Sequence, residues 1–372
     1  MRFYATLPPG LEDVAAEEIE DLGGRITEVR KGRGRVFFEG DLKLMAKLNY
    51  MARTLERIMI LLAVEKFEIL EDIYGIVKRL DFGWIKPNQS FAIRPLRVGE
   101  HDFTSLDVGR VAGQAVIDSY MESKGVRLKV NLDEPDVIIR VDVIFDEVYV
   151  GIDTTGDESL HRRGYRVYDH PAPLNPTIAS AMIRLSGWDP KKSLLDPMCG
   201  SGTILIEAGM MGRNIAPQKL RDFFQFVNIY GRDLLEEVRE EASKLENEDE
   251  MMLLGIERFR KHILGGIRNA ERAGVGDTVH FIQGDATKLC VRSADVIVTN
   301  PPYGLRIAKK GVIEELYYGF LKSAKDVAEK VVVITAEIEF MKNSISKNDY
   351  EVLEERWVKY GGLDTKVFVL KP

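Results

Sequence analysis

Cysteine, histidine and glutamine are scarce in this chain of 372 residues, with two, five and five copies respectively. Cys199 and Cys290 cannot build a disulfide framework or a four-ligand zinc site, which fits a reducing compartment. The histidines show no ligand spacing, so nothing supports a metal centre. Also missing is any apolar run near the roughly 18 residues that a membrane span needs, and the start Met1-Arg2-Phe3-Tyr4 lacks a signal-peptide layout. A cytoplasmic location without a membrane partner is the expectation. Positive charge is not in excess either: the formal net charge is −7, and residues 1–150 carry 21 Lys/Arg against 26 Asp/Glu. Any contact with nucleic acid must therefore come from local clusters, because phosphate contacts normally dominate such affinity. Three are candidates, Arg30-Lys31-Gly32-Arg33-Gly34-Arg35, Arg162-Arg163 with Arg166, and Lys309-Lys310, although each taken alone reads as a solvated face. Few glutamines beside many Glu, Lys and Arg hint at a thermophilic source.

The apolar fraction is 45% and the charged fraction 30%, the composition of a globular protein, and the length predicts two or three domains. Residues 2–6 alternate as a strand, and Leu11–Leu22 has helical spacing. Strand-like runs 25–30 and 35–39, a helix near 41–50 and the run Arg57–Val64 complete a β-α-β-β-α-β order, that of a ferredoxin-like unit over 1–65. A second unit, 66–155, has helical spacing in 70–80, a strand Ser90–Arg94, a helix over 105–122, and two strands, Val137–Phe145 and Val148–Ile152, joined as a hairpin through Asp146-Glu147. Gly156–Pro176 is poor in apolar residues and rich in Gly, Pro, Arg and His, so 156–175 reads as a connector.

From 176 to 372 strands and helices alternate, the pattern of an α/β, Rossmann-like, mostly parallel doubly wound sheet with its ligand at the carboxyl ends of the strands. The strand Val331–Thr335 is followed by two final strands, near 351–358 and 366–370, with no helix between those two, which predicts one antiparallel strand near an edge. Leu234–Glu250 reads as an inserted helix and loop. The strand Ser193–Asp196 runs into Pro197-Met198-Cys199-Gly200-Ser201-Gly202-Thr203 and an apolar helix. Glycines at a strand-to-helix turn let backbone approach a ligand, and the helix N-terminus offers unpaired N–H groups to a carboxylate. Leu205 stands where a dinucleotide fingerprint would place its third glycine, and no lysine follows as in a phosphate-binding P-loop. S-adenosylmethionine suits such a turn: its carboxylate would sit at the helix end. Glu257 at the next strand end would accept the ribose hydroxyls, and Asp285, with Ala286 beside it, the adenine amine. Either carboxylate alone would read as a helix N-cap; with Asp196, three acidic residues at three strand ends favour the donor reading.

Val296–Thr299 ends in Asn300-Pro301-Pro302-Tyr303. An exocyclic amine on a base is a poor nucleophile because its lone pair is delocalised into the ring. The Asn300 side-chain oxygen and the Pro301 carbonyl can each accept an N–H, freeing that lone pair and stabilising the positive charge that develops. Pro301 and Pro302 stiffen the turn, and Tyr303 can stack on a base that has left its helix. Neither cysteine follows a proline at this turn, which argues against covalent carbon methylation.

Over nearly its whole length the chain resembles the THUMP-domain RNA guanine-N2 methyltransferases. Phe91-Ala-Ile-Arg94, Phe103-Thr-Ser105, Gly109, Gly113 and Leu132-Asp-Glu-Pro135-Asp136-Val137 are similar to the THUMP pattern. Thr155 to Arg166 with Ala172-Pro173-Leu174 and Thr177 resembles the family's connector. The resemblance implies a class I methyltransferase domain behind ferredoxin-like and THUMP domains, and S-adenosylmethionine as cofactor held by Leu174, Thr177, Asp196, Cys199, Gly200, Ser201, Gly202, Thr203, Glu257, Asp285, Ala286 and Asn300. It implies catalysis by Asn300, Pro301 and Tyr303, with Pro302 and Tyr303 against the RNA base; Arg162 and Arg163 are candidate RNA contacts from their basic clustering. Glu257 departs from the family's more usual Asp. The archaeal branch, which modifies guanosine 6 of tRNA, is the nearer likeness, so the expected partner is tRNA, gripped at its acceptor stem and 3′ end by a monomer. Ribosomal RNA as substrate, another position in tRNA, a different amine, and an RNA-binding assembly factor with a vestigial catalytic domain are the alternatives.

Overall fold

A computed structural model of the chain describes residues 1–304 and 310–372; Lys309 and the Lys310 side chain, part of one candidate basic cluster, lie outside the described residues. The front of the chain runs β1 (Arg2–Thr6), α1 (Glu12–Asp21), β2 (Arg25–Arg30), β3 (Arg35–Glu39), α2 (Leu42–Met51) and β4 (Arg57–Lys66). These strands pair antiparallel in the order β2-β3-β1-β4, as the β-α-β-β-α-β pattern predicts. Asp41 starts α2 by accepting the Leu44 N–H at 2.7 Å, and the helix turns Leu44, Met45 and Leu48 into the core.

Next come α3 (Leu70–Lys78), β5 (Ser90–Val98), α4 (Ser105–Lys124), β6 (Lys129–Val130), β7 (Val137–Ile144) and β8 (Glu147–Asp153). A Thr104/Asp107 capping box opens α4, and Gly125 at φ 69° closes it. The hairpin partner β8 pairs with β7 on one side and with β4 on the other. Among the described residues the two front units therefore share one eight-stranded sheet, β2-β3-β1-β4-β8-β7-β5-β6. Hydrophobic alternation could not reveal that junction, because it depends on which free edge β4 offers.

The C-terminal unit runs α5 (Pro176–Ser186), β9 (Leu194–Asp196), α6 (Thr203–Gly212), α7 (Phe226–Tyr230), α8 (Asp233–Leu245), β10 (Leu253–Glu257), α9 (Arg260–Ala273), β11 (Val279–Gln283), β12 (Ala294–Thr299), α10 (Lys310–Ala324), β13 (Ala328–Thr335), α11 (Ile338–Lys347), β14 (Glu351–Tyr360) and β15 (Leu363–Lys371). Its sheet order is β11-β10-β9-β12-β13-β15-β14, with β15 antiparallel to both neighbours. The strand order reverses between β9 and β12, so their carboxyl ends flank the crevice where ligands bind in such sheets. Helix α11 has no counterpart in the sequence reading. It buries just Met341, Ser344 and Ile345, too short an apolar stripe to register as a period, and it is held by packing against α10.

The front unit is docked on the back one through shared core and directed bonds. The Arg53 guanidinium donates to the Met210 and Ile215 carbonyls at 3.0 and 2.6 Å. Asn175 donates to Glu56 at 3.0 Å, and the Lys359 N–H to the Pro9 carbonyl at 3.0 Å. Gly10, at φ +101°, lies so close to β14 that a Cβ would fall 1.8 Å from the Trp357 carbonyl oxygen.

Candidate active site

At the end of β9 the chain turns through Pro197 to Gly202 into α6. Gly200 and Gly202 have φ of +54° and +81°, and a Cβ on Gly202 would meet the Phe281 ring of β11 at 2.7 Å. The turn thus requires glycine for conformation and for closeness. A small cavity of about 40 Å³ opens over it, lined by Met198 to Ser201, Thr203 and Ile204, by connector residues including His170 and Leu174, and by Asn300. The sequence-predicted Asp196, Cys199, Gly200, Ser201 and Thr203 all border this space. A glycine cradle with a helix N-terminus, roofed by the connector, suits the amino-acid end of S-adenosylmethionine.

Asp196 is buried, and that burial pushes its carboxyl up to about 7. It accepts the Thr299 hydroxyl at 2.7 Å and the Met198 N–H at 3.2 Å. Since Thr299 directly precedes Asn300, this bond ties the donor loop to the acceptor turn. Burial also pushes the Cys199 thiol up, with Asp196 and Glu257 adding to it, so the thiol stays protonated and is no nucleophile. Glu257, at the end of β10, accepts the Gly200 N–H at 3.2 Å and the Phe259 N–H at 2.8 Å. Asp285 is exposed beyond β11 and closes a local turn on the Thr287 N–H and hydroxyl at 2.9 and 2.8 Å, bonds that hold its carboxyl low. Ala286 beside it is buried. Thr177, in the first turn of α5, is fully buried and does not line the cavity.

In the acceptor turn Pro301 is buried, Pro302 exposed, and Asn300 and Tyr303 half-buried. The Tyr303 hydroxyl donates to Asn300 Oδ1 at 2.6 Å, and burial raises its pKa so that it keeps its proton. This fixes which end of the Asn300 amide is oxygen and leaves one of its lone pairs free. From behind, Tyr317 of α10 donates to the Pro302 carbonyl at 3.2 Å and shares a 2.8 Å bond with Thr335. Neither His170 nor Tyr317 stood out in the sequence, since their roles depend on a roof and a back wall formed by distant segments.

The expectation that Arg163 contacts RNA is corrected by the structure. Its side chain is 1% exposed, 3.5 Å from Glu207, which is 0% exposed, and it donates to the Leu160 and Arg53 carbonyls at 2.7 and 2.5 Å. A guanidinium turned into the core between three segments cannot reach a phosphate. Arg162 is exposed, 3.8 Å from Glu158. In the other described cluster Arg35 is buried against Asp142 at 2.6 Å, while Lys31 and Arg33 remain exposed. No helix among the described residues is long and apolar enough to cross a membrane.

Comparison with known proteins places these features. Residues 163–366 match the RMKL-like methyltransferase domain, residues 2–59 the RlmL ferredoxin-like domain, and residues 68–153 the THUMP domain. The chain belongs to this family of THUMP-bearing methyltransferases, and S-adenosylmethionine is its methyl donor. Among relatives, the tRNA (guanine(6)-N2)-methyltransferase of Methanocaldococcus jannaschii is 53% identical with 100% of both chains covered. That of Archaeoglobus fulgidus is 53% identical over 99% of this chain and 92% of its own. Of solved structures, SMU.472 complexed with SAH superposes at a TM-score of 0.86, with 28% identity over 99% of this chain and 97% of the other. TrmN from Thermus thermophilus gives 0.73, with 26% identity over 100% and 99%.

Proposed function

We propose that the chain methylates the exocyclic N2 of guanosine 6 in the acceptor stem of tRNA, with residues 1–155 holding the RNA and residues 176–372 carrying out the transfer. The observation that carries this reading is that Asn300, the predicted acceptor of the amine, forms part of the wall of the donor cavity. Two full-length relatives bearing that activity in their names support the choice of base and polymer. The donor, when bound, supplies an electrophilic methyl group on sulfur. Gly200, Gly202 and the start of α6 would seat its amino-acid end, Glu257 its ribose, and Asp285 its adenine amine. Asn300 Oδ1 and the Pro301 carbonyl each accept an N–H of the guanine amine, which holds the lone pair out of conjugation. Tyr303 keeps the amide turned oxygen-outward and offers its ring to the flipped base. No strong base is required, because an aryl amine that has gained a methyl group loses its proton readily to water. Exposed Arg162 is a candidate phosphate contact at the connector.

Incubation with labelled S-adenosylmethionine and unmodified tRNA transcripts, followed by nucleoside mapping, tests the reading. The expected product is N2-methylguanosine at position 6, with incorporation lost when that guanosine is replaced. Label in ribosomal RNA or at another base would overturn it. Asn300→Ala is expected to slow transfer by roughly 10²–10³-fold, the cost of one preorganised transition-state hydrogen bond, while donor binding measured by calorimetry is retained.

A further inference from the structure

The connector carries a cation whose surroundings are incomplete. Arg166 donates through Nη2 to the Leu174 carbonyl and, at 3.2 Å, to the Thr203 hydroxyl. Its Nε is buried and has no hydrogen-bond partner. Among the described residues no carboxylate lies within 4.0 Å of it, whereas most of the neighbouring connector arginines and their contacts are paired: Arg162 with Glu158, Arg163 with Glu207, Arg57 with Asp153. Residues 305–309 contain no Asp or Glu that could supply one.

Position makes the omission informative. Thr203 is the first residue of α6, so the guanidinium stands at the positive end of a helix. Two sources of positive potential lie close together there, and among the described residues no carboxylate pairs with the guanidinium. Arg166 stands behind the wall of the donor cavity, anchored to neutral oxygens of Leu174 and Thr203, two of the residues that line it. The sequence pattern grouped Arg166 with Arg162 and Arg163 as an RNA surface; the fold sends the three in different directions, outward, into the core, and to the donor loop.

We infer that Arg166 is the counterion of the donor's carboxylate, the one anionic group of S-adenosylmethionine. Guanidinium and carboxylate attract as opposite charges and bond through N–H donors, and the Nε–H is the donor that the protein leaves unpartnered while Nη2 is held by Leu174 and Thr203. The connector then does more than join domains: it supplies the charge that selects the amino-acid end of the donor, while the glycine loop supplies shape.

Calorimetry on the full chain tests this with two ligands, S-adenosylhomocysteine and 5′-methylthioadenosine, which keeps the adenosine and thioether but lacks the amino-acid end. Arg166→Ala is expected to weaken S-adenosylhomocysteine by roughly 10- to 100-fold, the loss that follows removal of a charge-assisted bond, with 5′-methylthioadenosine changed by less than about twofold. Arg166→Lys, which keeps the charge but loses the Nε–H, should fall between, and it carries the same comparison if the alanine variant does not fold. Equal weakening of both ligands would overturn the inference in favour of a purely structural role. Unchanged binding of S-adenosylhomocysteine, with or without a loss of RNA affinity, would overturn it too. Failure of the wild-type chain to bind either ligand would instead refute the donor site itself.

Discussion

Replacing Arg163 by alanine separates a core role from an RNA role. Glu207 lies at 0% exposure beneath the connector and accepts from Tyr165 at 3.1 Å and Ser180 at 2.8 Å as well as facing Arg163. Arg163 in turn reaches the Arg53 carbonyl of the front unit, and Arg53 reaches α6. Without the guanidinium, a carboxylate remains buried with two neutral hydroxyls as donors. Removing one partner of a buried ion pair costs about 3–5 kcal/mol. At roughly 2–4 °C per kcal/mol for domains of 150–250 residues, the thermal midpoint should fall by about 6–20 °C. Arg163→Met combined with Glu207→Gln leaves no unpaired charge and should fall less than Arg163→Ala alone, a coupling that a double-mutant cycle measures. Differential scanning calorimetry reads the midpoint, and RNA affinity at two salt concentrations, taken well below it, reads the other role. A midpoint within about 2 °C of wild type, below what any loss of a buried ion pair allows, together with weaker and less salt-dependent RNA binding, would refute the core assignment.

Two further outcomes follow from the buried groups of the site. Asp196 has a folded-state pKa of about 7 against an ordinary value of 3.8, so the folded state keeps its proton longer, and this carboxyl removes stability as pH rises between those values. Asp196→Asn abolishes the effect; its midpoint relative to wild type should rise with pH across that window and level off above it, and a flat difference would show that the carboxyl is not desolvated. The two cysteines should differ towards iodoacetamide: Cys290 is exposed and Cys199 buried with its thiol pushed up, so peptide mass mapping of the native chain should find the adduct on Cys290, and alkylation of Cys199 would contradict its assignment as an inert cavity wall.

Much of the architecture was legible because its determinants are local. The β-α-β-β-α-β order, the helix expected over 105–122 and found over Ser105–Lys124, and the strand-loop-helix at residues 194–203 rest on periodicity and on turn residues, which act within a few positions. What escaped depends on contacts between distant segments. Strand β4 pairs with β8 some ninety residues later, Tyr317 of α10 reaches the Pro302 carbonyl, and the three connector arginines look alike in sequence although burial separates them. Charge clustering reports which residues are basic; it holds no information on which way a side chain turns once the chain packs.

Donor loop and acceptor turn stand about a hundred residues apart in sequence, yet the reaction requires their relative placement to be held closely, since a misplacement of 1 Å can cost on the order of 10²-fold in rate. The fold meets this by making β9 and β12 neighbours and pinning the pair at both ends. At the foot, Asp295 accepts the Ser193 N–H at 2.7 Å and its hydroxyl at 2.6 Å. At the top, Thr299 donates to Asp196. Proline stiffness and the Tyr317 tether then carry that alignment from Thr299 through the turn. The Tyr303–Asn300 bond is of a different kind, because it occupies part of the oxygen the amine must use. Strand spacing and turn geometry are therefore set before any base arrives, and the side chain that must adjust to the base is Tyr303, at the outer end of the rigid chain of contacts.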